Sequence, residues 1–442
     1  MSSRLRHPLT ALFGGIALTL PWILSWLTGV NEGFSTLTTV GVAGVAVLGA
    51  SFLLAWGAET AEKDVPRAFA IAVLAVLAVA PEYAVDALYA WQAGQGDAAA
   101  SNLAVANMTG ANRILIGIGW SGIALFSVYR AYSGGGADPN VVKRDGFLRD
   151  YVDLDRDISL EIAFLFLATV FAFFVPLGGG IGAIDTIVLV GLYLAYILVI
   201  IRGDVEEVEE QVGVPAYFQA RARSIRIPVV LGLFTYSGLL IFTAVEPFAH
   251  GLEALGLQFG IPEFFMIQWI APLASESPEL IVTAYLVNKA RSTAAFNALI
   301  SSKLNQWTLL IGTLVVVYSI SLGQYGVLMF DEKQASEIWI TAAQSLFALA
   351  ILINFQISVR ESLLLLVLFL SQVITEFYFI RTMSEAAAEA NSILLLDAFT
   401  VFYLVISVGL LAARRDQIRE VATLTGATVR DAVDGDAEQP AD

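Results

Sequence analysis

The stretch Ser275–Thr283 reads SESPELIVT, and an earlier stretch, Ala78–Asp86, reads AVAPEYAVD. Each places a Pro-Glu step, Pro278-Glu279 or Pro81-Glu82, within a long apolar run. A proline inside a helix has no N–H for the carbonyl four residues before it, so that carbonyl stays available. In a bilayer such a carbonyl is tolerated only where protein or an ion satisfies it. The two steps therefore mark specialised points wherever the surrounding apolar runs cross a membrane.

The composition of the chain predicts that these runs do cross a membrane. Of its 442 residues, 57% are hydrophobic and 14% are charged, with a mean hydropathy of +0.74. Soluble domains carry about 25% charged residues, and about 20 apolar residues span a bilayer as a helix. Backbone groups in lipid must be satisfied internally, so the spans are predicted to be helical, which makes this an all-α integral membrane protein. The predicted spans lie near residues 8–29, 34–58, 67–93, 99–130, 159–176, 182–201, 227–254, 263–288, 293–320, 336–356, 360–380 and 391–412.

The orientation of these twelve spans follows from the loops that carry Arg and Lys. Basic residues occur before the first span, after the last, and in alternate loops between them, while the opposite loops carry few besides Lys333 and Arg381. Cytoplasmic loops are the basic ones, so both termini are predicted to be cytoplasmic in a multi-pass protein of the cell membrane. The first run, 8–29, is long for a signal peptide and lacks a small-residue cleavage site, so we expect a retained helix.

The charge of the chain limits its partners. Its net charge is −16, with acids concentrated in 150–157, 204–210 and the last dozen residues, and only five of its 24 basic residues are Lys. This balance fits the very salty cytoplasm of a halophilic archaeon and argues against nucleic-acid partners. The sequence has no Cys, and its two histidines, His7 and His250, form no zinc motif. No nucleophile–base pair is evident, which argues against an intramembrane enzyme, and we expect no cofactor.

The sequence also repeats itself around the Pro-Glu steps. Each step follows a helix, a short loop with Pro66 or Pro262, and an apolar run, and each precedes an Asn-rich helix, SNLAVANMTGANRIL or AAFNALISSKLNQW. The first repeat is predicted to enter the membrane from the cytoplasm and the second from outside, a pattern of secondary transporters. The predicted organisation is an additional N-terminal helix (1–33), a first repeat (34–202), an acidic cytoplasmic loop (203–226), a second repeat (227–380), and an additional C-terminal helix with an acidic cytoplasmic tail (381–442).

Carboxylates at membrane depth are costly and are functional by default. Asp86 lies four residues after Glu82 and shares its helix face, and Glu276 and Thr283 share a face with Glu279. Two acids per repeat predict a strongly anionic centre for a cation. We therefore expect a membrane transporter whose partners are inorganic cations and membrane lipid.

Two basic residues suggest an alternative role for these acids, as partners in ion pairs. Arg113 and Lys303 occupy the same place in the two Asn-rich helices, each six residues after an Asn. They would then neutralise some of the acids as ion-pair partners. Lys303 is two residues from both Ser301 and Asn305, so it starts on roughly the opposite helix face from them.

The two repeats resemble those of the cation/calcium exchanger superfamily, which includes the sodium/calcium exchangers and their prokaryotic relatives. The resemblance covers roughly residues 34–380, ten helices, and rests on a Gly-Ile-Pro loop, a polar break ending in Pro-Glu, and a following Asn-containing helix. The counterparts here are Gly260–Pro262, residues 78–82 and 275–279, and Asn107–Asn112.

The resemblance implies a set of ion ligands in each repeat. Glu82 and Glu279 would be the main ligands of a transported metal cation. The further oxygen ligands it implies are Ser275, Ser301, Asn305 and Asn112. Four polar positions of the family's first repeat are apolar here, and these are Ala78, Val79, Ala111 and Leu115.

The function implied is secondary antiport, with Ca²⁺ or Na⁺ exchanged for Na⁺ or H⁺ by alternating access. A Na⁺/H⁺ or other cation/proton antiporter on the same fold is an alternative, because a buried Glu is a ready proton carrier. A transport-inactive scaffold or sensor, with the acids locked in ion pairs, is another. No pattern in the sequence specifies an oligomeric state.

Overall fold

A computed structural model describes residues 7–64, 80–133, 138–202 and 212–434. Residues 67–79 of the predicted third span, the first prolyl loop and the acidic run 204–210 lie outside the described residues. The helices are α1 (Pro8–Thr28), α2 (Thr36–Ala61), α3 (Ala80–Gly94), α4 (Ala98–Ile114), α5 (Ser121–Tyr132), α6 (Ser159–Ala172), α7 (Ala183–Arg202), α8 (Gly213–Gln219), α9 (Arg223–Phe259), α10 (Glu263–Asn288), α11 (Ser292–Asn305), α12 (Ile311–Leu322), α13 (Glu332–Leu352), α14 (Val359–Thr382), α15 (Glu385–Ala413) and α16 (Arg415–Asp434).

The predicted fold class, an all-α integral membrane protein, is confirmed. Ten helical segments among the described residues are long and apolar enough to cross a membrane. The two other predicted spans correspond to α3, described from Ala80 onward, and to the 26-residue α10, which carries acids in its apolar part. Short strands lie between the helices at β1 (Val141–Val142), β2 (Tyr151–Asp153), β3 (Gly180–Ile181), β4 (Leu328–Met329) and β5 (Gln356–Ser358).

Contacts between loops agree with the alternation of twelve spans. Strands β1, β2 and β5 form one antiparallel sheet, and they lie after the fourth and tenth predicted spans. Strands β3 and β4, which pair antiparallel, lie after the fifth and ninth. Lys63 donates to the carbonyl of Gln219 at 2.7 Å, which joins the segments after the second and sixth spans. Each contact joins loops that the prediction placed on the same side of the membrane.

The chain divides into two compact units, and the divisions fall inside α3 and α10. Unit 1 comprises residues up to Leu88 and Glu206–Pro278, and unit 2 comprises Tyr89–Val205 and the chain from Glu279 onward. Each unit therefore contains segments of both predicted repeats.

In unit 1, α2 packs closely against α1 and α9 through small residues. A Cβ added to Gly49 would lie 2.6 Å from the side chain of Thr19, and one on Gly44 would lie 2.7 Å from the ring of Phe248. Small residues let helix backbones approach closely in a membrane. Where the chain leaves the membrane, the Arg226 guanidinium binds both carboxylate oxygens of Asp64, at 2.5 and 2.6 Å.

In unit 2, the almost wholly buried α13 contacts α4, α6 and α15. The segment after the last span, expected only as an acidic tail, forms the amphipathic helix α16 against α6 and α7. Thr425 of α16 donates to the carbonyl of Ser159 at 3.1 Å. The sequence pattern that indicates this amphipathic helix is a set of apolar residues at helical spacing, namely Ile418, Val421, Val429 and Ala432.

Candidate ion-binding site

Two predicted acids lie at the start of α3, in unit 1. The side chains of Glu82 and Asp86 are 1% and 0% exposed. Their spacing of four residues places both carboxylates on one helix face. Two carboxylates this deeply buried require compensating positive charge, a proton or hydrogen bonds.

The second Pro-Glu step lies within α10, whose helix continues through residue 278 from Glu263 to Asn288. Ser275 and Glu276, before the proline, are buried in unit 1, and Thr283, after it, is buried in unit 2. The helix is therefore continuous at the Pro-Glu step. What is missing is the backbone hydrogen bond to the carbonyl of Ala274, which a proline at position 278 cannot donate.

In unit 2, the carboxylate of Glu279 accepts a hydrogen bond from Ser302 of α11. The distance from Ser302 Oγ to Glu279 Oε2 is 2.7 Å. Its neighbour Ser301, which was the predicted ion ligand, is half-buried, and Ser302 was not among the predicted ligands. The sequence did contain an indication of Ser302. When the two Asn-rich helices are aligned so that Arg113 matches Lys303, Asn112 matches Ser302.

Asn112 and Lys303 meet inside unit 2, and both are 0% exposed. Lys303 Nζ is 3.1 Å from Asn112 Oδ1 and 3.3 Å from the Asn112 carbonyl oxygen. The ammonium also lies 4.9 Å from the centre of the Trp307 ring. Lys303 thus turns inward, toward a residue of α4 that the resemblance assigned as an ion ligand.

The remaining predicted ligands of unit 2 make other contacts. Thr283 Oγ1 donates to the backbone carbonyl of Glu279 at 2.9 Å, within its own helix. Asn305 donates through Nδ2 to the hydroxyl of Tyr193 on α7, at 3.4 Å. The structure therefore brings together Glu279 with Ser302 and Asn112 with Lys303, and it directs Asn305 toward α7.

Arg113 belongs to a buried polar network that the sequence did not predict. Its guanidinium donates to Glu337 at 2.7 Å and to Gln344 at 3.3 Å, both on α13, and to Gln372 on α14. Gln372 donates onward to Glu376 at 2.9 Å, and Lys333 lies 2.9 Å from the same carboxylate. These charged side chains are at most 7% exposed. Two cations and two carboxylates therefore join α4 to α13 and α14.

Both Asn-rich helices continue into a π-helical segment, Leu115–Trp120 after α4 and Gln306–Leu310 after α11. Such segments are rare and occur frequently at functional sites. In the first, a Cβ added to Gly117 would overlap the ring of Phe369, as expected from a glycine that serves helix packing. The two repeats thus share an irregularity directly beyond Asn112 and Ser302.

The carboxylates among the described residues do not form groups of three or more acids or histidines suited to a metal ion. A cation held by this part of the chain would therefore need neutral oxygens besides its carboxylates. Such oxygens are common ligands of hard cations, which take hydroxyl, amide and carbonyl oxygens together with carboxylates.

Comparisons with known proteins agree with this architecture. The family described as "Sodium/calcium exchanger protein" matches residues 34–202 and 229–378. The crystal structure of the H⁺/Ca²⁺ exchanger CAX is similar, with 42% identity over 96% of this chain and 98% of that one, at a TM-score of 0.82. Native YfkE shares the fold, at 15% identity over 82% of this chain and 98% of that one, with a TM-score of 0.56. No curated protein matches this chain significantly.

Proposed function

The chain belongs to the sodium/calcium exchanger family, and on that basis we propose that it is an antiporter that exchanges Ca²⁺ for H⁺. The observation that carries the proposal is the set of buried acids on the two Pro-Glu helices, with the Ser302 hydroxyl on Glu279. The similarity to an H⁺/Ca²⁺ exchanger over nearly the whole of both chains supports the choice of ions. A Na⁺-coupled exchange is the competing assignment.

Glu82 and Glu279 are the proposed principal ligands. An ionised carboxylate is a ligand for Ca²⁺, whereas a carboxyl group that carries a proton has lost the charge that attracts the metal ion. One group therefore holds either the metal ion or protons, and this competition couples their opposite movements. Further proposed contributors to the binding of cations, whether calcium or a monovalent ion, are Asp86, Glu276, Ser275, Asn112, Ser301, Asn305 and Thr283.

The departures of the first repeat favour protons over sodium as the coupling ion. Four positions that are polar in the family are Ala78, Val79, Ala111 and Leu115 here, so fewer neutral oxygens are available for additional Na⁺ ions. A proton needs only a carboxylate whose charge can be neutralised.

The proposed location is the cell membrane, with both termini in the cytoplasm. The basic loops support this orientation through the positive-inside rule. The tail helix α16 and the sheet β1–β2–β5 would then lie on the cytoplasmic side.

The proposal is tested by calcium uptake into vesicles that contain the purified protein. Two gradients are imposed separately. The first is an outward H⁺ gradient, with the vesicle interior acidic, in the absence of Na⁺, and the second is an outward Na⁺ gradient at the same pH on both sides. We expect uptake under the first gradient, and uptake under the second alone would replace H⁺ by Na⁺ as the coupling ion.

Carboxylate variants test the site in the same vesicles. Glu82→Gln and Glu279→Gln should each abolish uptake while the protein remains folded. Glu385→Gln, at an exposed position at the start of α15, serves as the matched control and should transport normally. Normal flux in both site variants would remove these two residues from the mechanism.

A further inference from the structure

Lys303 is a buried cation whose position the exchange reaction proposed above does not explain. It lies in the last turn of α11, just before the π-helical segment, and its side chain is 0% exposed. An ammonium group is costly to bury, and where one occurs within a membrane span it marks a functional site by default.

The surroundings of this ammonium resemble the ligands of a monovalent cation. Two oxygens of Asn112, the side-chain amide oxygen at 3.1 Å and the backbone carbonyl oxygen at 3.3 Å, face Nζ. The Asn112 amide nitrogen donates to the carbonyl of Met108 at 2.9 Å, which fixes the amide with its oxygen toward Lys303. The face of Trp307, 4.9 Å away, adds the attraction of an aromatic ring for a cation.

The equivalent residue in the first repeat shows that a buried cation can be held differently at this position. Arg113 occupies the place of Lys303, yet its guanidinium forms a 2.7 Å ion pair with Glu337 and hydrogen bonds with glutamines of α13 and α14. Lys303 reaches across to the facing Asn-rich helix, where it contacts amide and carbonyl oxygens. These are the ligand types that alkali ions accept, and the ammonium occupies them.

We propose that the Lys303 ammonium is a built-in monovalent cation, which takes the place of an alkali ion at the two Asn112 oxygens. A tethered charge of this kind cannot be exchanged, so Na⁺ is neither required nor able to compete at this position. Lys303 is thus a specificity-determining residue that makes the exchanger independent of Na⁺. The inference rests on the proposed exchange of Ca²⁺ for H⁺.

The test removes the ammonium and supplies a free cation in its place. Wild-type protein in vesicles should take up calcium under a pH gradient equally well in media containing Na⁺ or only a bulky organic cation. Lys303→Ala should lose at least tenfold in uptake in the organic-cation medium. Added Na⁺ or methylammonium should restore at least a third of the wild-type rate, because each can enter the vacated space.

Three further variants define the effect. Lys303→Met removes the charge but fills the space, so neither Na⁺ nor methylammonium should rescue it. Lys289→Ala removes an exposed ammonium beyond the end of α10 and should behave as wild type in every medium. If Lys303→Ala fails to fold, Lys303→Ser takes its place with the same expected outcomes.

A binding measurement separates this inference from the proposed function. Na⁺ or methylammonium should raise the melting temperature of Lys303→Ala but leave those of wild type and Lys303→Met unchanged, whether or not the protein transports calcium. The inference is overturned if Lys303→Ala transports normally without Na⁺, or if no small cation restores its uptake or raises its melting temperature. If wild-type protein takes up no calcium but Na⁺ or methylammonium still raises the melting temperature of Lys303→Ala, only the proposed exchange is rejected.

Discussion

Replacing Arg113 by Met should destabilise the protein strongly, because it leaves the Glu337 carboxylate buried without its ion-pair partner. The two side chains are 1% and 0% exposed and lie 2.7 Å apart. Removing one partner of a buried ion pair costs about 3–5 kcal/mol. At about 2 °C per kcal/mol, as in domains of roughly 250 residues, the melting temperature should fall by about 6–10 °C.

The assay is thermal unfolding of the purified variant in detergent and in lipid nanodiscs, followed by tryptophan fluorescence. Arg156→Met is the control, because Arg156 forms a 3.6 Å pair with Glu420 in which both side chains are about half exposed. Exposed pairs contribute about 0–1 kcal/mol, so this variant should melt within about 2 °C of wild type.

The double variant Arg113→Met/Glu337→Met shows whether the single variant is destabilised by the unpaired buried carboxylate or by the loss of side-chain packing. A buried pair replaced by apolar side chains is often neutral in stability, so the double variant should recover most of the loss. A single variant that melts like wild type, or a double variant no more stable than the single, would refute the reasoning.

Three further outcomes are expected. Arg414→Ala loses hydrogen bonds of 2.9 and 2.6 Å to the last carbonyls of α13 and a 2.6 Å ion pair with α14, so its unfolding free energy should fall by roughly 2 kcal/mol; an unchanged melting temperature contradicts this. Gly44→Ala places a Cβ 2.7 Å from a buried ring of α9 and should lose about 1–3 kcal/mol in thermal unfolding, whereas Gly41→Ala, which meets open space, should lose none. Ser302→Ala removes a charge-assisted hydrogen bond worth about 1.5–3 kcal/mol, so the calcium concentration for half-maximal uptake should rise by about tenfold to a hundredfold. Ser301→Ala should have a smaller effect, and equal effects of the two serine variants would contradict the assignment.

Local patterns allowed the fold class to be predicted correctly. A membrane span needs about 20 consecutive apolar residues. Such a run must be helical in lipid, because its backbone groups have to form hydrogen bonds within the segment. The boundaries follow from the same pattern: the predicted first span, 8–29, corresponds to α1 at Pro8–Thr28. The amphipathic α16 was missed because its apolar residues are sparse and were read together with the acidic tail that follows.

The sequence proposed candidate site residues but could not supply their contacts. The Pro-Glu repeats pointed to Glu82, Glu279 and Asp86, which are carried by α3 and α10. The serine that contacts Glu279 is Ser302, one residue from the predicted one. Successive residues of a helix point about 100° apart, so Ser301 and Ser302 face different directions, and the sequence alone does not show which of them faces Glu279.

Sequence by itself determined the class of the protein and predicted its twelve spans and the acids within them, because each depends on residues near one another in the chain. Tertiary structure alone decided the partners of the buried cations Arg113 and Lys303. Arg113 meets Glu337, and Lys303 meets Asn112, each across some 200 residues of chain. Such pairs depend on which helices pack together and on how each is rotated about its axis, and packing between distant helices decides both.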